Sequence, residues 1–67
     1  MKIRFTKDVE VQYWNSQYNE MSEKAFRRGA TLDIVATEPV DKNFVNLHFD
    51  NADLAIDVPK SAFVITT

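Results

Sequence analysis

Cysteine is absent from this 67-residue chain, and histidine occurs once, at His48. The first absence excludes a disulfide framework and thiolate chemistry; it fits a reducing compartment or is neutral, and a cytoplasmic location is the expectation. Small scaffolds often depend on disulfides or a structural metal. Neither staple is available, so the fold must rest on its apolar core. No uninterrupted apolar run approaches the roughly 18 residues of a membrane span. The chain passes from Met1-Lys2 directly into an alternating pattern with no signal-peptide core, and no membrane partner is expected. A single histidine, no glycine-rich phosphate loop and no nucleophile motif leave only carboxylate pairs, which any soluble protein carries. The expectation is therefore no enzyme, no cofactor and no metal.

What is present reads as an ordinary globular chain, 45% hydrophobic and 27% charged. Its length suits one domain over residues 1–67, burying roughly 60% of its unfolded surface. The pattern runs from the initial methionine almost to Thr67, which suggests a complete small gene product. The formal net charge is −2, with six basic and four acidic side chains in residues 1–29 and two basic and six acidic in residues 30–67. That sum argues against a general nucleic-acid binder, which needs a basic excess on one face.

Strict alternation of Ile3, Phe5, Lys7, Val9, Val11 and Tyr13 with polar residues predicts strand structure, interrupted near Lys7-Asp8 as a bent strand or a short hairpin. From Asn19 to Gly29 the period changes, and a short helix is predicted near residues 20–28. Asn19 would cap it and Gly29 end it, with Glu20–Lys24 and Glu23–Arg27 spaced i, i+4. Leu32, Ile34 and Ala36 predict a strand that stops at Glu38-Pro39. Val45, Leu47 and Phe49, then Leu54, Ile56 and Val58, flank Asp50-Asn51-Ala52-Asp53 and predict a β-hairpin. Pro59-Lys60-Ser61-Ala62 suits one tight turn before a last strand at Phe63-Val64-Ile65.

The run Phe26-Arg-Arg-Gly29-Ala-Thr-Leu32-Asp-Ile34-Val35 resembles the stretch of SH3 domains in which an apolar residue precedes a basic-glycine turn and a strand. Val58-Pro59-Lys-Ser-Ala-Phe63-Val-Ile65 is similar to their closing segment. With the hairpin between them the resemblance covers residues 26–65. It implies a mainly β fold, a small SH3-like five-stranded barrel carrying one short helix. Peptide-binding members of that family have a tryptophan at the start of the central hairpin and a tyrosine three residues after the closing proline. Here those places hold Phe44-Val45-Asn46 and Ala62. Ordinary proline-rich peptide binding is therefore not expected, and a fold of this kind does not dictate a function.

Among candidate contact residues, alternation sets Trp14 with Glu10 and Gln12, opposite Tyr13. An outward tryptophan can anchor a protein partner, with Tyr13 and Tyr18 close in sequence; the plainer reading folds Trp14 over the barrel mouth. Arg27 and Arg28, with Lys24, Lys2, Arg4 and Lys7, could form a basic patch, against which stands a solvated face of slight ion pairs. Asp50, Asp53 and Asp57 lack the glycine and terminal glutamate of a calcium loop and suit turn chemistry. The expected function is a non-catalytic protein-interaction module, an adaptor, inhibitor or regulator, binding through Tyr13, Trp14, Tyr18, Arg27 and Arg28. A homodimer through an open strand edge is compatible with it. The alternatives are a nucleic-acid-binding barrel and a structural component of a larger particle. Size and simplicity resemble bacterial or bacteriophage accessory proteins.

Overall fold

The computed structural model describes residues 1–67 and is mainly β, with eight strand segments in two antiparallel sheets. Strands β1 (Lys2–Phe5), β2 (Val9–Asn15), β3 (Glu20–Phe26), β4 (Thr31–Asp33), β5 (Ala36–Pro39), β6 (Phe44–His48), β7 (Leu54–Pro59) and β8 (Phe63–Ile65) follow in chain order. A single 3-10 turn, Lys60–Ala62, precedes β8. The small sheet runs β4-β1-β8 and the large one β3-β2-β7-β6-β5.

The break at Lys7-Asp8 is a change of sheet. Ile3 and Phe5 are buried from the small sheet, while Val11 is buried from the large one, so one alternating run serves both layers. The expected strand from Leu32 to Pro39 divides in the same way. Ile34 stays buried between β4 and β5, and Val35 turns out to solvent at the corner. These divisions, together with β3, account for eight segments where five strands were expected.

The helix expected at residues 20–28 does not form; residues 20–26 are strand β3. It pairs with β2 over seven consecutive residues, from Val9↔Phe26 to Asn15↔Glu20. A helix of about two turns is marginal alone, whereas the edge of β2 offers a ladder along its whole length. Asn19, expected as a helix cap, has φ +54 in the hairpin turn, and Gly29 (φ +89) serves a turn closed by Ala30 N–H donating to the Arg27 carbonyl at 3.0 Å. Glycine accepts that φ without penalty.

The β6–β7 hairpin forms where expected, with Phe49 N–H donating to the Asp53 carbonyl at 3.1 Å. Its alternation breaks, however. Leu47 faces Ala55 and Val45 faces Val58, so β7 carries one extra residue, at Asp57 (φ +54), whose N–H donates to Asn46 Oδ1 at 3.0 Å. This bulge buries Ala55 and Val58 and turns Leu54 and Ile56 outward. The core closes around Phe5, whose ring stacks on Phe26 at 4.8 Å and meets Phe63 edge-on at 6.2 Å.

Candidate functional site

The outward face of the large sheet follows from its pairing. Val11 points into the core, so Glu10, Gln12 and Trp14 point away from it. Directly opposite residues share a face, and one row crosses all five strands: Met21↔Trp14, Trp14↔Leu54, Leu54↔His48 and His48↔Ala36. Ile56, opposite Gln12, lies beside this row. Met21 is 50% exposed; Trp14, Leu54 and Ile56 are half-buried. The result is a ridge of apolar side chains on a surface that faces solvent.

Around the ridge stand Glu10, Glu23 and Glu38, and no lysine or arginine occupies an outward position of β2, β3, β5, β6 or β7 on this face. Hydrogen bonding to the Glu10 carboxyl holds Glu23 above the usual carboxylate range, and the Glu10 charge adds to the effect. Such a raised group costs stability as pH rises through its unfolded value, and the cost is complete above the raised folded value. Glu10→Gln is accordingly expected to raise the urea midpoint at neutral pH, with the gain vanishing in acid; an unchanged midpoint at neutral pH would contradict it. Glu38 is shifted the other way, by hydrogen bonds from Asn46 Nδ2 at 3.1 Å and from His48 Nε2 at 3.1 Å.

The expected contact residues separate. Tyr13 turns inward, packs on Phe49 at 5.8 Å and donates to Asp53 Oδ2 at 2.6 Å. Lys24 lies over its ring at 4.5 Å. Trp14 takes the opposite face, so the two neighbours cannot share a surface. Tyr18 is 65% exposed in the β2–β3 turn, its N–H bonded to Asn15 Oδ1 at 3.3 Å. Arg27 and Arg28 stand at the other end of that hairpin. Arg27 pairs with Asp8 at 3.6 Å, and Arg28 N–H donates to Asp8 Oδ1 at 2.7 Å.

Asp53 is the one buried charged residue, and its surroundings are a turn lock. Besides Tyr13 it accepts from Ser16 N–H at 2.8 Å, Ser16 Oγ at 2.9 Å and Asn51 Nδ2 at 3.2 Å. The Tyr13 hydrogen bond, followed by that from Ser16 N–H, lowers its carboxyl to about 2. Burial first, then the hydrogen bond to Asp53 and its charge, pushes the Tyr13 phenol up to about 12. The Ser16 hydroxyl also lies 2.7 Å from the Asn51 carbonyl, and with all these partners drawn from β2 and the two turns the cluster is a fastening between the β2–β3 and β6–β7 turns.

Met21, Leu54 and Ile56 join Trp14 although the residue pattern assigns none of them to a contact surface. Met21 was hidden by the helical reading, and the other two by the bulge at Asp57. No protein-family model matches the chain, and no curated protein or solved structure matches it either.

Proposed function

We propose that this chain is a non-catalytic protein-interaction module, an adaptor, inhibitor or regulator, that docks through the outer face of its large sheet. The partner surface it fits is apolar at the centre and basic around it. The observation that carries this reading is the Met21–Trp14–Leu54 ridge with Ile56, set among Glu10, Glu23 and Glu38 with no lysine or arginine on that face. Aromatic anchors surrounded by charge give affinity at the centre and orientation at the rim. Three carboxylates on the same face repel phosphates, which argues against nucleic acid there.

An SH3-like barrel belongs to the same proposal. Its support is the order of elements: a first strand, a hairpin, a divided strand, a second hairpin, a 3-10 turn and a closing strand that returns to the first. A cytoplasmic site of action and a bacterial or bacteriophage accessory role complete it, resting on the missing cysteine and on size. Affinity capture with wild type, Trp14→Ala and a Glu10→Lys/Glu23→Lys double variant tests the reading. The captured protein is then purified and titrated with each form by isothermal titration calorimetry, since Trp14→Ala removes the only tryptophan of the chain. Loss of an anchor of this kind weakens binding about 30-fold, and added salt weakens it further. Undiminished binding by both folded variants removes the face from consideration.

A further inference from the structure

Strand β3 is the longest open edge of the fold. It is seven residues long, contains neither proline nor glycine, and pairs with β2 on one side in unbroken register. The other open edges are shorter: β4 and β8 have three residues each, and β5 has four and ends in Pro39. Six of the seven β3 residues are exposed. A long unpaired edge presents a row of backbone donors and acceptors that another strand can complete.

We infer that the occupant of this edge is a second copy of the chain, joined β3 to β3 antiparallel about a two-fold axis at Ser22. Side chains on one face must meet side chains on the same face, so the axis passes through a residue. With Ser22 on the axis, Glu20 lies opposite Lys24 of the second copy, and Lys24 opposite Glu20 of the second copy. Two opposite-charge pairs form, and the serines face one another, both favourable cross-strand combinations. Centring on Glu23 sets two carboxylates together, and centring on Lys24 sets two ammonium groups together; each is disfavoured. Glu20 and Lys24 share a face, because their β2 partners are Asn15 and Val11, and Lys24 is already held over the Tyr13 ring at 4.5 Å. On the other face Met21 meets Glu23 of the second copy and lies diagonal to its Met21. The two five-stranded sheets become one of ten strands, and the Trp14 ridges run towards each other without being covered.

Light scattering after size exclusion tests this on the full chain, with expected species at 7.7 kDa and at twice that mass. Wild type is dimeric at high concentration, less so in molar salt. Glu20→Lys alone and Lys24→Glu alone each repel across both contacts and return the mass to the monomer. An equimolar mixture of the two restores the dimer, because every contact between unlike chains is then attractive. Circular dichroism confirms folding of each variant. A Lys24→Glu chain that fails to fold leaves Ser22→Cys to decide: the chain has no cysteine, and oxidation links residue 22 to itself faster than it links a Ser61→Cys control. A monomer at millimolar concentration, a dimer indifferent to either charge reversal, a mixture that stays monomeric, or equal cross-linking rates overturn the inference.

Discussion

Phe5→Ala is expected to leave the chain largely unfolded at room temperature. Phe5 is 1% exposed, stacked face to face on Phe26 and edge-on against Phe63, so its ring joins β1, β3 and β8. Truncating a buried phenylalanine costs about 3–5 kcal/mol in transfer and cavity terms together. A core in a domain of this length rarely supplies more than about 3–5 kcal/mol of net stability. The two magnitudes are equal, so little remains. Far-UV circular dichroism and amide chemical-shift dispersion should show the collapse, while Phe5→Leu, which refills most of the volume, should still unfold cooperatively at a lower urea midpoint. A Phe5→Ala chain with a midpoint near that of wild type would mean that the aromatic stack is not what joins the sheets.

The second large effect is expected from Asp53→Asn. The amide keeps the shape but loses the charge, and it offers a donor where Tyr13 and Ser16 both supply donors. At neutral pH the urea midpoint should fall further than in Tyr13→Phe, which removes one of the hydrogen bonds Asp53 accepts. The pH dependence gives a sharper signature. The Asp53 carboxyl is lowered from 3.8 to about 2 on folding, so its contribution is present above 3.8 and disappears as pH falls towards 2. Wild type and Asp53→Asn should therefore converge in acid. Glu38, lowered as well, loses its contribution in the same direction, whereas Glu23, raised, is relieved as pH falls. Curves that stay parallel through the acid range would assign the fastening to packing alone.

Much of this fold could be read from residue order, wherever the local pattern had a single structural meaning. The β6–β7 hairpin, the turn after Pro59 and the opposition of Tyr13 to Trp14 all belong to that group. Residues 20–26 were ambiguous for a physical reason: an i, i+4 spacing is even, so Glu20 and Lys24 share a face in a strand as well as in a helix. The neighbouring β2 edge settled the matter, and that is a tertiary effect. The bulge at Asp57 was equally silent, since one residue in a left-handed conformation reverses the sense of every residue on one side of it. The outward ridge was therefore only a quarter visible. Trp14 could be placed from its own strand, but Met21, Leu54 and Ile56 reach it through cross-strand register.

Two runs of chain, β1 into β2 and β4 into β5, begin in one sheet and finish in the other. Neither layer can then peel away while its neighbour persists, because the covalent backbone passes through both. Opening should be all-or-none, with the slowest amide protons of Ile3, Val11 and Leu47 exchanging with solvent at one common free energy rather than in separate sub-globular steps. In so slight a molecule, that continuity makes half-open forms scarce, and with them the sticky intermediates from which small β proteins aggregate.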